Sequence, residues 1–368
     1  MRKIFIGLIV CLLVIPSAIS GAEESEVSQG QKEEINAETD KVAQAVESSG
    51  TDGGAQTAEN SDTVDDSEKE KESRWRLYLT TDLAYHPKTG YRAGGTHFTG
   101  PSGPFRILKP RTRFTAEYKI PVLTGESALF AGNNVTLRAE CGLTPVSSTQ
   151  HFSVTFSPAA FFDLDAGFVT GSGWNIGSFH GIREYNPARN EYDELDSFST
   201  WYLYPFVRAT IKFDVGALWP GDWHHIVGLA TFETGYQSLI GAKQTVWEWQ
   251  TFAGNADGWF YRQYYVIGYQ MPLKLSMIAM TFDLSGHYNA SDYGQFAQSF
   301  GGDFMYAEIG PMIEVTLNKK NYFYSLIAFS GRRSFAEPHD EEDVEPSLTN
   351  TGTEWFWDYI AVRWVHFF

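Results

Sequence analysis

From Trp75 onward, apolar and polar residues alternate with a period of two. Trp75, Leu77, Leu79, Leu83 and Tyr85 interleave with Arg76, Thr80, Asp82 and His86. Phe114, Ala116, Tyr118 and Ile120 interleave with Arg113, Thr115, Glu117 and Lys119, and Val135, Leu137, Ala139 and Cys141 with Thr136, Arg138 and Glu140. Successive side chains of a strand point to opposite faces, so each segment predicts a strand with one apolar and one polar face. The segments repeatedly reach about ten residues. Strands of soluble sheets average about five or six, whereas about ten, tilted, cross a bilayer core.

Twelve such segments can be counted, and they predict an all-β fold. It is a transmembrane antiparallel up-and-down β-barrel over 74–368, closed by the terminal strand 354–368 against Trp75–Tyr85. Turn chemistry separates the segments. Pro158-Ala159-Ala160, Pro220-Gly221-Asp222, Pro272 and Asn318-Lys319-Lys320-Asn321 read as short connections. Longer ones fall near 87–109, 172–200, 239–257, 288–303 and 333–353, while 124–133 is long for a short side and 144–149 short for a long side. Long loops on one rim, short turns on the other and an even strand number are the pattern of outer-membrane barrels. Closure also removes exposed sheet edges.

The alternation does not reach the first 73 residues. Residues 1–22 predict a cleaved secretory signal peptide, with Arg2 and Lys3 ahead of the apolar run Ile4–Ile15. Residues 23–73 predict a disordered acidic periplasmic segment. Between Glu23 and Glu72 there are sixteen acidic and four basic residues and no aromatic one, so little apolar surface offsets the cost of ordering the chain. This stretch holds most of the net charge of −17, and the acidic balance argues against nucleic-acid binding. No run after residue 20 is long and apolar enough for a spanning helix. Aromatics make up 15% of the chain, with 19 Tyr and 11 Trp, which suits interfacial girdles. Of the two cysteines, Cys11 falls in the leader and leaves Cys141 alone, so neither an intramolecular disulfide nor a cysteine metal site is expected.

The chain ends on an uninterrupted aromatic strand, Trp355 to Phe368. Its expected outward set is Phe368, Trp364, Val362 and Ile360, with Arg363 inward. The leader, the period-two strands, the proline turns and the terminal Phe368 together resemble a Gram-negative outer-membrane β-barrel. The resemblance covers residues 75–368 and names no substrate. Ser157-Pro158-Ala159-Ala160-Phe161 and Gly268-Tyr269-Gln270-Met271-Pro272 resemble segments of uncharacterised spirochaete-type barrels. It implies location in the bacterial outer membrane and contact with its lipid. It also implies an insertion signal at Phe368, Trp364 and Val362 read by the barrel-insertion machinery. His366 departs from the aromatic or aliphatic residue more usual at that position.

If apolar residues face lipid, a polar lumen remains. Its candidate solute path comprises Arg76, Asp82, Arg113, Glu117, Lys119, Arg138, Glu140, Arg208, Lys212, Glu308, Glu314 and Arg363, joined by His86, Asp163, Asp165, Asp214, Arg262, Asp283 and His287. An Arg or Lys on the lipid face near the midplane costs about 2–4 kcal/mol, so the inward side is expected. Two uses follow: a water-filled path for small polar solutes, or a salt-bridged interior that only stabilises a narrow barrel. The leading expectation is a passive, porin-like channel, monomeric or trimeric. A structural or adhesive surface barrel is the alternative, resting on the aromatic region around Trp247, Trp249 and Trp259 and on acidic loops. A lipid hydrolase is the third, with Ser285 and His287 as a candidate pair that share a face at i and i+2. His224-His225 beside Trp223 reads as an interfacial anchor, since adjacent strand residues point apart. Asp340-Glu341-Glu342-Asp343 lacks the ligand spacing of a calcium loop. No metal, cofactor or nucleic-acid partner is expected.

Overall fold

The computed structural model describes residues 73–177, 179–250, 252–339 and 344–368. The expected signal peptide, and all but the last residue of the acidic segment, lie outside the described residues. So do the four acidic residues 340–343.

The strands, in chain order, are β1 (Trp75–Thr89), β2 (His97–Thr99), β3 (Pro101–Pro121), β4 (Asn134–Leu143), β5 (Ser147–Ala159), β6 (Phe162–Gly173), β7 (Ile182–Asn186), β8 (Glu191–Glu194), β9 (Trp201–Asp214), β10 (Ile226–Ile240), β11 (Val246–Trp249), β12 (Phe252–Ala256), β13 (Gly258–Gln270), β14 (Leu275–His287), β15 (Tyr306–Asn318), β16 (Asn321–Phe335) and β17 (Asn350–Phe367). Twelve of them form one antiparallel sheet in the order β1-β3-β4-β5-β6-β9-β10-β13-β14-β15-β16-β17, and β17 returns to β1. The closing register pairs Tyr78 with Phe367 and Tyr85 with Ile360, and the Phe368 N–H donates to the Leu77 carbonyl at 3.0 Å. Every barrel strand thus has a partner on both sides, as closure requires.

The wall carries out the expected alternation. Leu137, Phe152, Val154, Ile211, Phe232, Ile267, Ile278 and Val362 are exposed on the outside. Their sequence neighbours of opposite parity, among them Arg138, Ser153, Thr210, Glu233 and Arg363, are buried inside. Exposed aromatics mark the two ends of the apolar band: Trp201, Tyr236 and Trp259 near the long connections, and Trp223, Phe213 and Tyr269 near the short ones. No helix of the described residues is long and apolar enough to cross a membrane.

Four expectations are corrected. The stretch 87–109 is mostly strand, because β1 and β3 pair out to Lys88↔Gly103 and Thr89↔Pro101. Prolines count against a central strand. They fit in β3 because β4 pairs β3 only from Thr112 onward, so Pro101, Pro104 and Pro110 lie where the edge is open. The connections 172–200 and 239–257 are not plain loops either. They supply a second sheet, in the order β12-β11-β7-β8. Near Pro158 the strand continues to Ala159 with a shifted register, and the turn falls at Ala160 and Phe161. Finally, β17 does not alternate throughout. Its pairing slips between Ala328↔Tyr359 and Phe329↔Trp357, a bulge that puts both Asp358 and Tyr359 inside. Beyond it, Arg363 is inward and Val362 outward, as expected.

Candidate functional site: the barrel interior

Strand pairing brings the inward charges together in sets that sequence spacing does not reveal. On the β1–β3–β4–β17 wall, register places Asp82 opposite Arg363 and next to the row of Arg113. Asp82 accepts from Arg363 Nε at 2.6 Å and from Arg113 Nη2 at 3.0 Å. Glu140 accepts from Arg138 Nη2 at 2.6 Å and Thr115 Oγ1 at 3.1 Å, with Arg113 Nη1 3.8 Å away. Nearer the short-turn rim, Glu117 accepts from Arg76 Nε and Tyr78 OH, both at 3.0 Å. Lys119 sits at that rim and is exposed.

The facing wall has its own sets. Arg208 bonds Glu233 and approaches Asp165 at 3.4 Å, while Tyr204 OH donates to Glu233 at 2.9 Å. Arg262 grips Asp283 through two nitrogens, and Lys212 pairs with Asp163 at 3.0 Å. Around the β17 bulge, Glu308 accepts from Tyr359 OH at 2.8 Å and from Ser330 Oγ at 3.2 Å. The single Ser330 hydroxyl proton is shared with Asp358, whose Oδ2 lies closer, at 2.7 Å, and the other Asp358 oxygen lies 3.2 Å from His86 Nδ1. Glu314 accepts from Ser276 Oγ at 2.7 Å.

The lumen also holds an apolar sector that the periodicity does not announce. Leu229, Tyr264, Val266, Met277, Ala279, Met312, Leu326 and Ala328 occupy inward positions on β10 and β13–β16 and pack as one buried cluster with Tyr359. Met277 and Ala328 are 0% exposed, and Arg113 and Thr115, on the polar wall, are also 0%. Side chains therefore fill the interior at these levels. The hint in the sequence is that the inward parity of β13 and β14 turns apolar toward one end, at Tyr264 and Val266 and at Met277 and Ala279.

The second sheet packs into the mouth at the long-connection rim. Ile182, Trp247 and Trp249 pack with Leu239 and Tyr202, inward residues at the upper ends of β10 and β9. Trp249 stacks on Tyr202 with ring centroids 5.2 Å apart. Gly171 of β6 lies against both the β5 backbone and this ring, since a Cβ there would lie 2.6 Å from the Ser148 carbonyl oxygen and 3.1 Å from the Trp249 ring. Asp257 pins the return to β13, accepting from Ser238 Oγ, the Leu239 N–H and Trp247 Nε1 at 2.7, 2.8 and 2.9 Å. Arg183 holds Glu248 through two bonds of 3.1 and 2.5 Å. Above this, Tyr185, Val246, Ala256, Tyr293 and Phe300 form a separate core. Burial pushes the Tyr192 and Tyr293 phenols well above the ordinary tyrosine value, so they stay neutral. Trp247 and Trp249 are thus 1% and 5% exposed, which corrects their expected offer to a surface partner. Trp259 is exposed, but as part of the outer aromatic row.

Three of the histidines singled out in the sequence have partners. His287 faces inward, with Gln237 Nε2 at 2.9 Å and Asp292 Oδ2 at 3.3 Å from its two ring nitrogens. Both nitrogens are taken by groups other than Ser285, which is itself inward and buried. His225 pairs with Asp214 at 2.8 Å beside the exposed Trp223. His366 lies 3.0 Å from Asn321 Oδ1, which also accepts from Trp364 Nε1 at 3.1 Å. That shared acceptor belongs to the Asn318–Asn321 turn, so the outward His366 sits at the polar rim. Among the described residues no group of histidine, cysteine and carboxylate side chains has a metal-holding arrangement.

No protein-family model matches the chain, and no curated protein does. Solved structures that align with it are barrels. A KdgM porin aligns at 9% identity with a TM-score of 0.34, covering 79% of this chain and 99% of its own. The translocator domain of the autotransporter NalP from Neisseria meningitidis aligns at 10% identity and 0.34, covering 91% and 98%. The outer membrane channel DcaP of Acinetobacter baumannii aligns at 8% and 0.34, covering 80% and 96%. Such scores are too low to carry function across, and closure rests on the strand pairing of this chain itself. By that pairing, and by its apolar-out, polar-in wall, the chain is a closed twelve-stranded antiparallel barrel of the outer-membrane type.

Proposed function

We propose that the protein resides in the bacterial outer membrane as a closed barrel. It contributes a rigid wall and a folded outer cap to the envelope and does not act as a standing pore. The observation that carries this reading is the filled lumen, where apolar and ion-paired inward side chains are buried together. An open water path would leave such side chains wet. The cap over the mouth supports it. Membrane lipid is the expected partner of the outer wall. The insertion machinery is the expected reader of Val362, Trp364 and Phe368, which lie on the outer side of the closing strand or at its end. No step of this reading is catalytic.

Purified protein in a planar bilayer tests it. The expected record is silent at modest voltage. Steady current steps that scale with salt would overturn the closed reading in favour of a porin-like channel for small polar solutes. That second reading is favoured by the lining itself. Asp82, Arg113, Arg138, Glu140, Arg208, Glu308, Glu314 and Arg363 put both signs of charge along one axis, which suits passage once the interior hydrates.

A further inference from the structure

We propose that a groove on the outer wall over β9, β10 and β13 binds one acyl-ester lipid of the surrounding leaflet. The inference rests on the membrane location proposed above. The groove encloses about 400 Å³. It is lined by the outward residues Val207, Ala209, Phe232, Thr234, Tyr261 and Gln263, and by Glu233 and Arg262 between them. Register creates it: Thr234 stands between Val207 and Tyr261 in one row, and Phe232 between Ala209 and Gln263 in the next. Thr234 in the middle of the first row and Ala209 at the end of the second are small, and they leave a trough beside Phe232. Tyr288 also lines it, with its ring 5.1 Å from that of Tyr261.

Its polar groups identify the ligand. Gln263 Oε1 accepts from Tyr265 OH at 2.8 Å. Among the described residues, its amide NH₂ and the hydroxyls of Thr234, Tyr261 and Tyr288 have no protein partner. A donor left unmet against hydrocarbon is costly. These groups are neutral hydrogen-bond donors. The charged residues of the same stretch, Glu233 and Arg262, turn inward to Tyr204, Arg208 and Asp283. With the Arg262 guanidinium buried and committed to Asp283 on the inner side, a phosphate is a poor fit, and a neutral carbonyl acceptor is a good one. The depth agrees. Tyr236 and Trp259 oppose each other in the exposed aromatic row, and Thr234 and Tyr261 lie two residues below them, roughly 6–7 Å along the strands. Glycerol ester carbonyls lie just beneath such interfacial aromatics, with room below for the start of an acyl chain beside Ala209 and Phe232.

Native mass spectrometry of the purified full chain, titrated with diacyl phosphatidylethanolamine and separately with its diether analogue, tests this. The diether lacks only the carbonyls. Wild type is expected to retain the diacyl lipid about tenfold better, the effect of one or two hydrogen bonds in a membrane setting. Gln263→Leu combined with Thr234→Val, both apolar changes on an apolar wall, is expected to bring the two lipids to parity. Ala209→Phe, which fills the trough, is expected to lose both. Equal retention by wild type, a diacyl preference that survives the double substitution, or full retention by A209F would each overturn the site. A barrel that fails to enter lipid vesicles overturns the membrane reading itself. One that enters without an ester preference overturns only the groove.

Discussion

Asp82 is the residue on which two seams of the barrel meet. It receives Arg113 from β3 and Arg363 from β17, so it ties the closing pair to the rest of the wall. Removing it strands two buried guanidiniums, and breaking a buried pair from one side costs about 3–5 kcal/mol. Asp82→Ala is therefore expected to lower stability by about that amount, read from the urea midpoint of folding into vesicles. Removing Asp82 and Arg363 together is expected to cost less than the sum of the two single losses. Trp247→Ala, in the cap, is expected to cost about 3–5 kcal/mol locally, as for other buried Trp side chains. It should expose 241–257 to protease while the barrel stays folded. The two sites differed in legibility. Inward parity for Asp82, Arg113 and Arg363 could be read from alternation alone, because a period of two leaves only two faces. Their partnership could not, since it depends on register between strands, and Asp82 and Arg363 are 281 residues apart in sequence. The burial of Trp247 was illegible for another reason. Trp247-Glu248-Trp249 has the same pattern whether its faces meet water, a partner or another part of the chain.

Among the elements, β17 departs furthest from its own pattern. Its aromatic residues are dense enough that either parity looks apolar, so the sequence conceals the slip at Asp358–Tyr359. The slip makes two neighbours share one face, and both are used: Asp358 by His86 and Ser330, Tyr359 by Glu308. Deleting Asp358 alone would restore regular alternation and leave every other side chain of β17 on its present face. Such a variant is expected to fold, with heat-modifiable migration on a gel retained, and to be less stable by the loss of two buried hydrogen bonds, about 2–3 kcal/mol. Strand β3 illustrates the opposite case. Its prolines mislead because they count against a central strand, yet only the paired half of β3 is central. Strand existence and face were therefore readable wherever hydrophobic periodicity alone decides them. Strand ends, the bulge and the cap sheet were not, since pairing decides those.

For the molecule as a whole, the interior and the cap act in series as barriers to passage along the axis. Their contributions are separable. Asp257→Ala removes the acceptor that holds Ser238, Leu239 and Trp247 at the base of the cap. If the filled lumen alone seals the barrel, this variant stays silent in a planar bilayer, although its cap becomes protease-sensitive. That is the outcome expected here, because the apolar cluster lies below the cap. Appearance of salt-dependent steps on cap release would instead assign the seal to the cap and make the charged lining a latent solute path. Barrel architecture and the two-faced wall were legible from the chain. Occupancy of the lumen was not, because a polar inward face lines a hydrated pore and a salt-bridged core equally well.

The seam between β1 and β17 gives the barrel a circular topology, since an even strand number returns the chain to the rim where it started. The backbone at Leu77 and Phe368 is joined there by a hydrogen bond of 3.0 Å. A short linker from Phe368 to Ser73, with new ends opened between β16 and β17, preserves every strand pairing while moving the aromatic terminus into the interior of the polypeptide. Such a permutant is expected to refold in detergent like the parent, yet to accumulate poorly in the outer membrane of living cells. That comparison separates what the sequence needs in order to fold from what it needs in order to be delivered.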